Sequence, residues 1–153
     1  MMWQTAGLAP ASVTSGEHAM PLNITKGYQQ LVAEAEKEIE TISVNEALSL
    51  HGSEDVIFVD LRDVRERWRE GFIPEAFHCP RGMLEFWIDP DCIYYKDIFA
   101  SGKKFLFYCN LGWRSALAAQ VSQQMGLTPV AHIEGGFHAW MKAGGDVARK
   151  EHK

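Results

Sequence analysis

The stretch Lys104-Phe-Leu-Phe-Tyr-Cys-Asn-Leu-Gly-Trp-Arg-Ser115 carries the clearest structural message in the chain. After Lys104 it has four apolar or aromatic residues in succession, the pattern of a strand covered on both faces, as in a parallel sheet. It then passes through a short loop containing Gly112 into Arg114–Met125, a run of good helix formers that stops at Gly126. Strand, loop and helix in this order place Cys109 at a strand's carboxyl end, beside the start of a helix. Active residues of open α/β sheets gather at such ends.

Working outward, Asp55-Val-Ile-Phe-Val-Asp60 is a second buried-strand run, followed by a charged helical segment over 63–70 that Gly71 ends. Arg62 to Arg69 is the densest basic stretch, but Asp63 and Glu66 interrupt it and Glu70 follows, so it reads as a mixed-charge helix face. Further strands are expected at Thr41-Ile42, Ala76–Cys79 and Pro129–Ile133. Further helices are expected after Ser43, which has Glu46 at the capping-box position, over 82–88, and after Gly135-Gly136 as far as Lys142. Alternation of strands and helices predicts a small α/β domain with a mostly parallel sheet and helices on both faces. Before it, Tyr28, Leu31, Val32, Ala35 and Ile39 give residues 25–40 the spacing of a helix with one apolar face, which either packs on the domain or builds a homodimer contact. Residues 1–24 read as a flexible tail, the first nineteen being rich in Ala, Ser, Thr and Gly, or as an upstream extension of a chain starting at Met20.

The chain has 153 residues, 46% of them apolar and 23% charged, which suits one globular domain. A net charge of −5 gives no electrostatic reason to expect nucleic acid as a partner. No apolar run approaches a membrane span. The three cysteines form no CxxC pair and the histidines never stand at zinc-ligand spacing from them, so neither a disulfide framework nor a metal site is expected; a reducing, cytoplasmic setting fits.

Cys109 is the candidate nucleophile. Successive amides of a glycine loop can converge as an anion nest, and the following helix adds its positive end. Both favour a thiolate over a thiol. Arg114 adds a fixed positive charge and Trp113 an apolar wall. The opposing reading is that Cys109 is a small buried hydrophobe, and for Cys79 and Cys92, which lack the loop and helix, packing is the expected role.

These residues resemble the rhodanese family. Val59-Asp-Leu-Arg62 with Glu66 and Gly71-Phe-Ile-Pro-Glu-Ala76 is similar to its first signature, Cys109–Ser115 to its active-site loop, and His132-Ile-Glu-Gly-Gly-Phe-His-Ala-Trp140 to its closing signature. Pro80-Arg-Gly-Met-Leu-Glu-Phe-Trp87 looks like a feature of a bacterial single-domain branch. Phe72 stands where the family usually has His and Glu75 where it usually has Gly, and the spacing from Asp60 to Gly71 is one residue longer than the commonest form.

The resemblance implies a rhodanese domain over 41–148, with a five-stranded parallel sheet in the order 1-5-4-2-3. It implies a sulfurtransferase in which Cys109 takes a sulfur from a donor such as thiosulfate and passes it, as a persulfide, to cyanide, a thiol or a sulfur-relay protein, with no cofactor required. Amides from Asn110, Leu111, Gly112, Trp113, Arg114 and Ser115 would hold the charged sulfur. Arg114 would help hold an anionic donor, and Ser115 would either cap the helix or bond the sulfur. Asp60 and Arg62 would form a structural pair under the loop, and Arg81 a surface salt bridge, although it could reach the site. Gly135 and Gly136 would serve a tight turn, while Phe137 and Trp140 fill core. Two rival readings are a cysteine phosphatase or arsenate reductase, whose phosphate cradle has five residues between Cys and Arg where this loop has four, and a binding module without catalysis.

Overall fold

Phe105 and Phe107 point to one face of their strand and Leu106 and Tyr108 to the other, and all four are buried. A strand hidden on both sides needs helices on both sides, and the computed structural model, which describes residues 22–150, has this three-layer arrangement. In chain order the elements are α1 (Tyr28–Glu38), β1 (Glu40–Ile42), α2 (Val44–Leu50), β2 (Val56–Asp60), α3 (Val64–Glu70), β3 (Phe77–His78), α4 (Leu84–Ile88), β4 (Lys104–Tyr108), α5 (Trp113–Met125), β5 (Val130–Ile133) and α6 (Gly136–Lys142). The strands form one sheet in the order β1-β5-β4-β2-β3, every neighbouring pair parallel. This is the order the resemblance implies. The tail assigned to residues 1–24 lies almost wholly outside the described residues.

One face packs α1, α4 and α5 on Val59, Phe105 and Phe107; the other packs α2 and α6 on Phe58, Leu106, Ala131 and Ile133. The capping signals behave as their chemistry requires. Ser43 accepts from the Glu46 amide at 3.1 Å, and Asp63 and Glu66 close a reciprocal capping box at the start of α3. Helix α1 is shorter than the expected 25–40: Gly27 caps it and Ile39 turns extended to lead into β1. Its Ala35, and Ile39 just after it, enter the core that α5 also lines, and Gln123 of α5 donates to the Glu38 carbonyl at 2.7 Å.

Two unusual residues before β3 have distinct local roles. Glu75 adopts φ 68°, the left-handed conformation that favours glycine. Phe72 lies 4.1 Å under the Arg67 guanidinium and pairs, antiparallel, with Ala148 near the end of the described chain. This last pairing joins two segments that carry no strand pattern in the sequence.

Parallel register places Asp60 beside Tyr108, one residue before Cys109. Around this point lies a buried charge network. Arg62 has no exposed surface; its Nε and NH2 donate to the two Asp60 carboxylate oxygens at 3.0 and 2.9 Å, and NH2 also donates to the Gly71 carbonyl at 2.7 Å. Asp60 accepts in addition from the Tyr108 hydroxyl at 2.8 Å and from Arg67 at 2.9 Å. The Arg62 guanidinium lies over the Phe137 ring at 4.3 Å, so β2, α3, β4 and α6 meet at one cation.

Without Arg62 the buried Asp60 carboxylate keeps only Arg67 and the Tyr108 hydroxyl and loses its two-point partner, so Arg62→Ala should lose roughly 3–5 kcal/mol in a chemical-denaturation measurement. The pH dependence has a definite sign. Burial pushes the Asp60 carboxyl up, but Arg62, with help from Tyr108, outweighs it and holds the group below the ordinary range. A carboxyl depressed in the folded state stabilises above its unfolded value, ~3.9, and that contribution is lost as pH falls through the lower folded value. Thermal melts at stepped pH should therefore show Asp60→Asn less stable near neutrality, but with a shallower loss below about pH 4 than the parent chain.

Candidate active site

The loop after β4 wraps around the Cys109 sulfur. Cys109 is 1% exposed, and its Sγ accepts from the Gly112 amide at 3.2 Å and from the Ser115 amide at 3.3 Å. Gly112 makes this possible with φ 97°, turning the chain back so that α5 starts at Trp113 with its first amides near the sulfur. Two amides and a helix start together present positive charge to an anion on sulfur.

Ser115 is not a helix cap, since α5 is preceded by Gly112 and has no side-chain cap. Its Oγ lies 3.6 Å from the Cys109 Sγ and 2.8 Å from His132 Nδ1. Asn110 uses its carbonyl to accept from the His138 amide at 3.1 Å, while the Cys109 carbonyl accepts from the Phe137 amide at 2.8 Å. The first turn of α6 thus holds the loop from behind. Gly136 explains the closeness: a Cβ there would meet the Cys109 carbonyl oxygen at 2.4 Å, which no side chain allows. The paired glycines therefore do more than turn the chain, as their sequence suggests; they let α6 press on the sulfur loop.

Arg114 faces Cys109 but is tied to α3. NH1 and NH2 donate to the two Glu66 carboxylate oxygens at 2.8 and 2.9 Å, a bidentate pair that offsets much of its charge. The hydrogen bond to Arg114 holds the Glu66 carboxyl below its ordinary range. Leu111 and Trp113 are about half exposed and, with Cys109, Asn110 and Arg114, line a hollow of about 170 Å³. Tyr28 of α1 packs on Trp113 with ring centroids 4.8 Å apart.

The remaining candidates lie apart from this hollow. Asp60 and Arg62 bond to each other and their buried neighbours, and Arg81 donates to Glu85 at 2.9 Å. Cys79 is wholly buried, and that burial pushes its thiol up to about 12. The Cys92 sulfur accepts from the Tyr94 amide at 3.4 Å. The Glu66 partnership, the support from α6 and the reach of α1 to Trp113 were not read from the sequence, although packing of α1 on the domain was one of its two expected roles. Nor was His132, although a histidine inside an otherwise apolar strand was a visible signal.

The rhodanese-like domain matches this sequence over residues 43–143. A sulfurtransferase of Allochromatium vinosum is 27% identical over 114 residues, covering 74% of this chain and 96% of that protein. Human thiosulfate:glutathione sulfurtransferase is 27% identical over 108 residues, covering 67% and 93%. A solved structure from Rhodopseudomonas palustris, described as a protein of unknown function and possible tyrosine phosphatase, superimposes with a TM-score of 0.82 at 55% identity, covering 85% of this chain and all of that one. Among the described residues, no helix is long and apolar enough to cross a membrane. With its strand order, its cysteine loop and this match, the chain belongs to the rhodanese-like domain family, and sulfurtransferases are among its relatives.

Proposed function

We propose that the protein is a sulfurtransferase that carries sulfane sulfur on Cys109. The observation that carries this reading is the sulfur itself, held by the Gly112 and Ser115 amides at 3.2 and 3.3 Å with a small hollow in front of it. In the transfer from thiosulfate, the Cys109 thiolate attacks the outer sulfur, a new S–S bond forms, and the old one breaks with its electron pair leaving on sulfite. The persulfide anion keeps the single charge that the thiolate had, in the same ring of donors. A nucleophile such as cyanide or a thiolate then takes the terminal sulfur, and its electron pair forms the new bond as the Cys109 thiolate is released. Nothing in these two steps calls for a metal or an organic cofactor.

The phosphatase reading has one observation in its favour, the description attached to the 55% identical structure. The loop weighs against it. Only four residues separate Cys109 from Arg114, and Arg114, though it faces Cys109, has both terminal nitrogens taken by Glu66. A phosphate ester needs a wider ring of donors with the arginine directed at its oxygens.

With thiosulfate and cyanide, the parent chain should form thiocyanate and Cys109→Ser none, while intact-mass measurement should show one added sulfur after thiosulfate alone. Equal thiocyanate rates for the two proteins, or turnover of an aryl phosphate with no sulfur gain, would remove this reading. The donor's charge provides a second test. Glu66→Gln keeps the capping-box geometry and releases Arg114 from its counter-charge, so thiosulfate KM should fall severalfold and become more sensitive to salt. An unchanged KM would mean that Arg114 does not meet the donor.

A further inference from the structure

A chain of polar groups runs from the buried sulfur to the protein surface. From Cys109 Sγ it passes to Ser115 Oγ at 3.6 Å, then to His132 Nδ1 at 2.8 Å. The other ring nitrogen, Nε2, faces the Thr41 hydroxyl at 3.1 Å and the Glu36 carboxylate at 3.2 Å. His132 is 1% exposed, whereas the Glu36 side chain is 39% exposed on α1. Thr41 lies beside His132 in the β1–β5 register. Both partners of Nε2 precede residue 43, where the family match begins.

We propose that His132 is a positioning residue for the sulfur site: Thr41 and Glu36 select its tautomer, and the tautomer decides whether the Ser115 hydroxyl proton points at the Cys109 sulfur or away from it. The proposal rests on the sulfur-transfer reading of Cys109.

The hydrogen-bond count allows two complete arrangements. In the first, Cys109 is a thiol and donates to Ser115 Oγ. Ser115 then donates to Nδ1, and Nε2–H donates to the Glu36 carboxylate. In the second, the sulfur is an anion and accepts the Ser115 O–H. Nδ1–H then donates to Oγ, and bare Nε2 accepts from the Thr41 hydroxyl.

Passing from the first to the second moves one proton along each link. The thiol proton goes to Oγ, the hydroxyl proton to Nδ1, and the Nε2 proton to Glu36 and on to water. The imidazole is neutral at both ends. Burial agrees with this, since it holds His132 down to about 4 and so keeps the ring uncharged at neutral pH. Burial, followed by the nearby Glu134, raises the Glu36 carboxyl above its ordinary range, which suits a transient proton acceptor.

The charged groups around the chain are few. Arg114 from α5 faces Cys109 and is paired with Glu66 from α3, while His132 faces Glu36 from α1 and Glu134 beyond β5. An ionised Glu36 accepts from Nε2–H and so favours the thiol arrangement. The Thr41 hydroxyl, as a donor to Nε2, favours the anion. The two neighbours therefore act in opposite directions.

The test is the pH profile of Cys109 alkylation by iodoacetamide in the full chain, located on its own peptide by mass spectrometry. Thr41 and Glu36 are surface positions, so their variants keep the core intact. Thr41→Val should move the midpoint of the profile to higher pH, and Glu36→Gln, whose amide can donate to Nε2, to lower pH, each by about half a unit. Glu134→Gln removes a similar charge without touching Nε2 and should move it less. Shifts of the same sign, no shift with Thr41→Val, or an effect of Glu134→Gln as large as that of Glu36→Gln would overturn the proposal. Alkylation needs no sulfur donor. Opposite shifts without thiocyanate formation would therefore remove the sulfur-transfer reading alone, and turnover without the shifts would remove the tautomer proposal alone.

Discussion

A guanidinium with no contact with water sits behind the loop that bears Cys109, and the rest of the site depends on its being fully satisfied. Arg62 has Asp60 on two nitrogens, the Gly71 carbonyl on one of them and the Phe137 ring under its plane. An unpaired charge at this depth would be severely destabilising, so the carboxyl ends of β2 and β4, the end of α3 and the start of α6 hold a single mutual arrangement. The Tyr108 hydroxyl illustrates the tightness. Burial, and then the neighbouring Asp60 carboxylate, push its ionisation upward, so it remains a donor to Asp60 while accepting from the Ile73 amide at 3.1 Å.

On that base stands a loop whose chemistry is mostly backbone. Gly112 and Ser115 offer amides to the sulfur, and α6 offers amides to the carbonyls on the loop's other side. Donors fixed in this way need no reorganisation when charge appears on sulfur, which is how preorganised amides stabilise an anion. Side chains supply the rest: Ser115 and His132 behind the sulfur, Leu111 and Trp113 in front of it. The Arg114–Glu66 pair leaves the mouth of the hollow close to neutral, so shape and hydrogen bonding outweigh long-range attraction there.

Much of this was legible in the residues themselves. The four apolar residues of β4 read as a strand covered on both faces, and Gly126, Gly71 and the Ser43 cap marked helix ends close to where they occur, while the Asp63 capping box was not read. Cys109 stood out because a strand, a glycine and a helix start surround it. Boundaries were less legible. Helix α1 is three residues shorter at its start than its apolar spacing suggests, because periodicity reports a face and not a terminus. The antiparallel contact of Phe72 with Ala148 had no local pattern, since it joins segments far apart in the chain.

The sequence by itself determined the fold class, the position of the candidate cysteine and the length of the loop around it. Those features follow from side-chain periodicity and from glycine, which act over a few neighbouring residues. Only the tertiary structure decided which groups meet at the sulfur. Arg114 turns to Glu66, Gly136 admits α6 against the Cys109 carbonyl, and His132 links Ser115 to Thr41 and Glu36. These partners come from α3, α6, β5, β1 and α1, and no spacing along the chain encodes a hydrogen bond between groups that only sheet register and helix packing bring within reach.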